Sequence, residues 1–285
     1  MLKVILTRKG NEIRLLSIFL FNSILIGYAN QIYPKRIISL GPSLTKELYL
    51  LEAEDRLIGC TVYAPECAKD KEKVGTVIDI NLEKIIKLKP DLVLATSLTN
   101  PRQVEKLRKL KIKVIVFPQA KSFQELCDQF LELAKLVGKE DKAKGIIREV
   151  KEKVKSIRDK IKDLKKTKVF IQIGAKPLFT AGKNSFLNDF IEFAGGVNIA
   201  KDTEFGIYSR EKVLKKNPDV IIIVTMGIRG IREKEIWQRY KNMNAVKNKR
   251  IYIIDSYKIC SPTPISFVET LKGLIKILHP EAEIE

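Results

Sequence analysis

The chain contains one short pattern twice: residues 83–95 read EKIIKLKPDLVLA, and residues 211–223 read EKVLKKNPDVIII. Before each copy stands a residue that can cap a helix, Asn81 or Ser209, and a glutamate then falls in the first helical turn, where the helix dipole favours negative charge. A proline ends the helix, because proline has no N–H and drives its predecessor out of the α region. The apolar run that follows is too short for another helix and is typical of a buried parallel strand.

Each copy therefore predicts a helix, a tight corner and a buried strand, which is half of a βαβ unit. Any α/β protein can contain two such units without further relation between them. The shared Glu-Lys and Pro-Asp pairs at a constant offset favour two related lobes instead. At 285 residues the chain is long enough for two domains, each with its own core.

Strand and helix patterns alternate along the chain, which predicts an α/β fold of two Rossmann-like lobes with parallel sheets. Between the lobes, residues 139–164 place apolar side chains three and four positions apart among charged ones. This spacing predicts one amphipathic backbone helix of about 40 Å, with a coiled coil as the alternative. The predicted organisation is an N-terminal lobe at 35–138, a connecting helix at 139–166 and a C-terminal lobe at 167–280.

The first 29 residues are predicted to be a secretory signal peptide. Basic residues from Lys3 to Arg14 precede an apolar stretch at 15–26, and small residues lead to Ala29, after which a signal peptidase would cut. Roughly 12 apolar residues fall short of the ~20 that span a bilayer, although a retained anchor is the alternative. A bacterial lipoprotein signal requires a cysteine soon after the apolar stretch, and none stands there. The prediction is a soluble periplasmic protein.

The chain has 53 basic and 34 acidic side chains, a formal net charge of +19. Such an excess of positive charge suits binding to an anionic ligand, an anionic membrane surface or nucleic acid. A high lysine content is also typical of proteins from organisms of hot habitats. The lysines are spread along predicted helices rather than clustered with aromatic residues. Together with the export signal, this spacing predicts no nucleic-acid partner.

Four cysteines and a single histidine limit the available chemistry. Cys60, Cys67, Cys127 and Cys260 allow three disulfide pairings in an exported protein, and the sequence does not choose among them. Their spacing does not fit a zinc site, and His279 lies near the C-terminus. The chain also lacks a Gly-x-Ser-x-Gly elbow, a Walker loop and a Gly-x-Gly-x-x-Gly fingerprint. We therefore predict no catalytic residue, no resident metal and no cofactor.

Several stretches together match one family pattern over almost all of the chain after Pro34. They are RIISLGPSLTKE (36–47), GCTVY (59–63), VGT (74–76), NLE (81–83), PD (90–91), FIQIGAKPLFTAGK (170–183), GGVNI (195–199) and YSRE (208–211). In these stretches the chain resembles the class III periplasmic binding proteins, which have a helical backbone and serve ABC importers of cobalamin, ferric siderophores, haem and some metal ions. The cobalamin-binding branch is the most similar.

The resemblance implies that ligand lies between the lobes, on loops at the carboxyl ends of the strands. Tyr63 matches a family tyrosine that lies against a corrin ring, and Val77 and Thr96 stand where cobalamin binders have tryptophans. Lys183 and Arg210, with Lys176, are candidates for positive charge in the cleft, unless they are simply solvated. The expected ligand-binding residues are Pro42, Ser43, Cys60, Tyr63, Thr96, Ser97, Lys176, Pro177, Phe205, Tyr257 and Cys260.

The resemblance also implies a membrane partner. In the family, one exposed glutamate on each lobe pairs with arginines of the permease, and Glu83 and Glu211 occupy these positions. The alternative is that both glutamates only stabilise their helices. The implied function is a monomeric periplasmic substrate-binding protein that delivers a corrinoid or ferric siderophore to an ABC importer. A periplasmic ligand-sensing domain is the alternative, and an enzyme on a two-lobed scaffold is a third class.

Overall fold

The computed structural model describes residues 33–203, 206–225 and 229–283, so the predicted signal peptide lies outside the described residues. No helix in these ranges is long and apolar enough to cross a membrane. The strands are β1 (Ile37–Ser39), β2 (Leu57–Cys60), β3 (Glu72–Lys73), β4 (Leu92–Thr96), β5 (Val114–Phe117), β6 (Thr167–Gln172), β7 (Gly174–Ala175), β8 (Leu178–Phe179), β9 (Gly196–Asn198), β10 (Val220–Val224) and β11 (Ile251–Ile254). The helices are α1 (Pro42–Leu50), α2 (Leu82–Leu88), α3 (Pro101–Lys109), α4 (Phe123–Leu136), α5 (Glu140–Ile161), α6 (Phe186–Phe193), α7 (Arg210–Lys216), α8 (Gly230–Gln238), α9 (Asn244–Lys247), α10 (Ser256–Ile259) and α11 (Pro264–Leu278).

Two parallel sheets and a long connecting helix confirm the predicted fold class. The N-terminal lobe contains the sheet β3-β2-β1-β4-β5, and the C-terminal lobe contains the sheet β11-β10-β6-β9. Every strand pairing in these two sheets is parallel. Strands β7 and β8 form a separate antiparallel hairpin after β6. In a parallel sheet all the carboxyl ends lie on one edge, so each lobe presents a single edge of loops.

The duplicated sequence folds in the same way in both lobes. The side chain of Asn81 accepts a hydrogen bond from the backbone N–H three residues on, at 3.0 Å, and Ser209 does the same at 3.2 Å. Helices α2 and α7 then end at Lys89 and Asn217, whose φ values of 45° and 44° are left-handed. Each proline follows this left-handed residue and prevents the helix from continuing.

The aspartate after each proline ties its strand to the neighbouring one. The Asp91 carboxylate accepts hydrogen bonds from the backbone N–H groups of Lys35 and Arg36, at 2.8 and 2.9 Å, just before β1. Asp219 accepts a hydrogen bond from the backbone N–H of Lys168 in β6, at 3.0 Å. The recurrence of the Pro-Asp pair therefore has a structural cause.

Helix α5 joins the lobes through one apolar stripe. Ala143, near its start, packs with Phe130 of α4 in the core of the N-terminal lobe. Ile146 and Ile147 pack against the cores of both lobes. The stripe then enters the core of the C-terminal lobe through residues Val150, Val154, Ile157 and Ile161.

A second contact between the lobes lies at the start of α4. Asp189 of α6 accepts a hydrogen bond from the backbone N–H of Phe123, at 2.7 Å, and so caps a helix of the other lobe. The Phe123 ring lies 4.5 Å from the ring of Phe267 in α11. Burial raises the pKa of Asp189 above its usual value. These contacts and α5 bring the two edges of loops to face one another.

Candidate functional site

A cavity of about 510 Å³ lies between the lobes, where the carboxyl ends of both sheets meet. The N-terminal lobe lines it with loops that follow β2, β3, β4 and β5 and with side chains of α1 and α4. The C-terminal lobe lines it with the start of α6 and with loops that follow β10 and β11. A volume of this size falls within the range of small-molecule sites.

Most of the predicted ligand-binding residues meet at this cavity. Tyr63 comes from the N-terminal lobe and is 46% exposed, whereas Tyr257 comes from the C-terminal lobe and is 49% exposed. Each tyrosine therefore offers ring surface on which a flat ligand can pack. The predicted residues that line the cavity are Pro42, Ser43, Tyr63, Thr96, Ser97, Tyr257 and Cys260.

The remaining predicted residues lie elsewhere. Cys60 does not line the cavity, because it is fully buried in β2 with its Sγ 3.3 Å from Lys73 Nζ. Lys176 and Pro177 are exposed in the turn of the β7-β8 hairpin, which takes the place of a simple loop after β6. Phe205 lies outside the described residues.

The three basic residues that were candidates for positive charge in the cleft, Lys176, Lys183 and Arg210, do not line it. Arg210 places Nη2 at 2.6 Å from Glu233 Oε2, and its guanidinium lies over the ring of Trp237 at 4.5 Å. Gln172 completes this network, since it donates to Glu233 at 2.8 Å and accepts from the indole N–H of Trp237 at 2.6 Å. Burial alone would raise the pKa of Glu233, but hydrogen bonds from Gln172 and Arg210 outweigh burial and hold this pKa below its usual value. Lys183 is exposed outside the cavity.

The deepest part of the cavity comes from residues that the sequence did not indicate. We define the inner wall as the lining residues that are less than a tenth exposed: Leu44, Glu47, Phe117, Ala120, Leu126, Phe186 and Pro262. We call the expectation that ligand lies at the carboxyl ends of the strands the strand-end rule. Phe117 ends β5, so this rule could have found it. The residues in α1 and α4 carry no such signal, because their approach to the cleft depends on how the helices pack.

Glu47 is the one carboxylate among the described residues that line the cavity, and these residues include no lysine, arginine or histidine. It is 3% exposed, and within the described ranges its carboxyl oxygens form no hydrogen bond or ion pair. Burial raises the pKa of Glu47 from 4.5 to about 8, because a charged carboxylate loses its hydration there.

A braced turn forms one rim of the cavity. Gly75 has φ of 114°, which side chains rarely adopt, and the Thr76 hydroxyl accepts a hydrogen bond from the backbone N–H of Asp79 at 2.9 Å. The turn presents Val77 and Ile78 to the cavity, and Ile78 is 64% exposed. The Val77 and Thr96 positions, where cobalamin binders have tryptophans, therefore both line the cavity.

The two candidate docking glutamates occupy equivalent positions outside the cavity. Glu83 and Glu211 are the second residues of α2 and α7, and both are exposed. Hydrogen bonds from its own backbone N–H and from the Ser209 hydroxyl hold the pKa of Glu211 below its usual value. Each lobe thus presents an exposed carboxylate at a helix start, ready to accept a bidentate arginine.

A second concave surface of about 710 Å³ runs along α5, but it suits a small ligand less well. Its lining includes exposed basic side chains such as Lys151, Lys155 and Arg158 and no strand end of either sheet. Elsewhere in the described ranges, no group of His, Cys, Asp and Glu residues could hold a metal ion. All four cysteines are free thiols, so none of the three possible disulfide pairings forms.

The chain is similar to known proteins over most of its length. The family described as "Periplasmic binding protein" matches residues 37–258. The uncharacterized ABC transporter substrate-binding lipoprotein YvrC of Bacillus subtilis (strain 168) is 32% identical over 260 residues, which are 87% of this chain and 81% of that protein. The vitamin B12-binding protein of Vibrio vulnificus (strain YJ016) is 30% identical over 257 residues, 88% of this chain and 91% of that protein. A crystal structure of a possible iron-binding (periplasmic solute-binding) protein from Staphylococcus epidermidis ATCC 12228 has a TM-score of 0.77 at 32% identity and covers 87% of this chain and 100% of that chain.

Proposed function

The chain belongs to the periplasmic binding protein family, and we propose that it binds a metal chelate, a corrinoid or a ferric siderophore, and delivers it to an ABC importer. The family and its relatives bind and transport substrates, so the chain is a transport protein that acts outside the cytoplasm and not an enzyme. We further propose that residues 1–29 direct export and that the protein acts as a soluble periplasmic monomer.

The cleft between the lobes is the observation that carries the choice of cargo. It combines a mostly apolar inner wall with one tyrosine ring from each lobe, Tyr63 and Tyr257. Such a site favours a bulky chelate with apolar and flat surfaces over a sugar or a small polar ion. Relatives named for vitamin B12 and for iron binding support the same class of cargo.

A thermal-shift panel tests the cargo directly. Purified protein is heated with cobalamin, cobinamide, haem, several ferric siderophores and free metal ions. A ligand at 100 times its dissociation constant adds about 2.7 kcal/mol of stability, which gives a clear rise of the melting temperature. A rise with a corrinoid or a ferric siderophore is expected. No rise with any chelate, in folded protein, would overturn the proposed cargo.

Delivery is proposed to depend on Glu83 and Glu211. Both carboxylates are exposed, and one lies on each lobe at the start of an equivalent helix, so a permease arginine can reach each of them. Neither residue lines the cavity, so binding of cargo and docking can be separated.

The double variant Glu83→Ala with Glu211→Ala is expected to keep its ligand affinity within a few-fold and to lose uptake. Removing one partner of a buried interfacial charge pair costs about 2–5 kcal/mol. Glu152→Ala, an exposed carboxylate on α5, is the matched control and should keep both properties. Normal uptake by the double variant would remove the docking assignment while leaving the cargo assignment intact.

A further inference from the structure

The inner wall contains a carboxyl group for which the described residues supply no partner. Glu47 lies in α1, one helical turn after Ser43, and both residues line the cavity. The other inner-wall side chains are apolar, so the Glu47 carboxyl is the one polar side-chain group of the inner wall. A buried polar group without a partner costs free energy, and proteins keep such groups where a ligand or a function requires them.

Among the residues that the structure describes, none brings positive charge to the surroundings of Glu47. Cys127 of α4 interacts with it electrostatically, and burial raises the pKa of that thiol to about 12, so the thiol stays neutral. The other titratable groups of the cavity are Tyr63, Tyr257 and Cys260, none of which is a base that could carry positive charge. The overall charge of +19 therefore does not extend into the lining of the cleft.

This charge distribution decides which cargo the cleft can hold. A carboxylate or catecholate inside it would meet no cation among the described lining residues, and any ionisation of Glu47 would add repulsion between like charges, which is costly in a desolvated site. An amide or ammonium group would instead donate a hydrogen bond to the acceptor that the protein leaves unpaired.

We propose that Glu47 binds a hydrogen-bond-donating N–H group of the cargo and thereby selects neutral or cationic chelates over anionic ones. This inference rests on the proposed function, because it assigns a charge class to the chelate. Ammonium-bearing cargo is bound most tightly, since it forms a charge-assisted hydrogen bond with the ionised carboxylate.

A charge series on one scaffold tests the inference. Ferrioxamine B is a ferric trihydroxamate with a free ammonium group, its N-acetyl derivative is neutral, and its N-succinyl derivative ends in a carboxylate. Cobinamide with neutral amide side chains and cobyrinic acid with carboxylates form the matching corrinoid pair. Affinities are measured by titration calorimetry at pH 7 for wild type, Glu47→Gln and the surface control Glu152→Gln.

Wild type and Glu152→Gln are expected to bind the member richer in N–H donors or positive charge about tenfold to a hundredfold more tightly than the anionic member of its scaffold. Glu47→Gln is expected to lose most of the preference for the ammonium-bearing chelate, because its amide oxygen still accepts a hydrogen bond but supplies no negative charge. A second readout is the proton balance: because Glu47 holds its proton up to a pH of about 8, wild type releases up to one proton when it binds an ammonium-bearing chelate. Glu47→Gln releases none.

Two negative results have different meanings. If chelates bind wild type but Glu47→Gln keeps the same preference and proton balance, the selective role of Glu47 is refuted and the proposed function stands. Tighter binding of the anionic members by wild type would refute it as well. If no chelate of either scaffold binds folded wild type, the proposed function fails, and the charge assignment fails with it.

Discussion

Replacing Glu47 with glutamine is expected to remove a large part of the pH dependence of stability. Burial raises the pKa of Glu47 from 4.5 to about 8 in the folded protein. Below the unfolded pKa both states hold the proton, so ionisation of the carboxyl does not change the free energy of unfolding. As the pH rises, the unfolded chain ionises first and becomes more stable, whereas the folded state keeps its proton until the pH approaches 8. The free energy of unfolding therefore falls across this window.

The size of the effect follows from the shift. Each pKa unit is worth about 1.36 kcal/mol, so the whole shift is an upper limit of about 5 kcal/mol. Between pH 4 and pH 7 the expected loss is about 3 kcal/mol. Glutamine has nearly the shape of the protonated acid and no titratable proton, so Glu47→Gln should avoid this loss.

The assay is urea unfolding of wild type and Glu47→Gln at pH 5, 7 and 8.5. The difference between the two proteins cancels the contributions of groups that they share. At pH 5 the variant should be more stable by less than about 1 kcal/mol, and its advantage should be larger at pH 7 and larger still at pH 8.5. Glu152→Gln, which changes an exposed carboxylate, should follow wild type at all three values. Parallel curves for wild type and Glu47→Gln would show that the carboxyl is hydrated in solution and would refute the reasoning.

Three further predictions concern the cleft and the repeated helices. Gly75→Ala is expected to lower the free energy of unfolding by about 1–3 kcal/mol in thermal or urea unfolding, because φ is 114° there and a Cβ would meet Asp79 O at 2.7 Å. The variant should also bind ligand more weakly, because it distorts the rim at 76–78. An unchanged affinity would show that the rim is not part of the site. Asn81→Ala and Ser209→Ala should each lower the free energy of unfolding by about 1 kcal/mol through loss of an N-cap, with Asn81→Ser and Ser209→Asn as controls that keep it. Tyr63→Ala should weaken chelate binding about tenfold in calorimetry, whereas the affinity of Tyr63→Phe should stay near that of wild type, because the ring face is the proposed contact. An equal loss of affinity in both variants would point to the hydroxyl instead.

Much of the scaffold follows from patterns that act over short distances. The caps of α2 and α7 depend only on Asn81 and Ser209 and on the first turn that follows each, and a proline after each helix prevents it from continuing. The apolar runs of β4 and β10 can likewise be recognised from a few neighbouring residues. The apolar stripe of α5 likewise comes from spacing alone. The strand-end rule also identified most of the cavity loops, because parallel strands end on one edge whatever their order.

The residues that the sequence did not indicate depend on contacts between distant segments. Cys60 lies at a strand end as Tyr63 does, yet it is still part of β2 and its side chain is buried in the core of the N-terminal lobe, whereas Tyr63 lies in the turn beyond the strand. Lys176 leaves the cleft because β6 continues into a hairpin. Arg210, a candidate for positive charge in the cleft, is instead held by Glu233, which lies 23 residues away in α8.

The sequence by itself therefore indicated the two α/β lobes, the backbone helix, the family and the edge of loops that lines the cavity. Only the tertiary structure decided the interior of the cleft, where Glu47 from α1 and Leu126 from α4 meet Phe186 from the other lobe. The physical reason is that periodicity and capping are local and can be read from neighbouring residues, whereas burial, pairing and the pKa of a carboxyl depend on which distant elements pack against it.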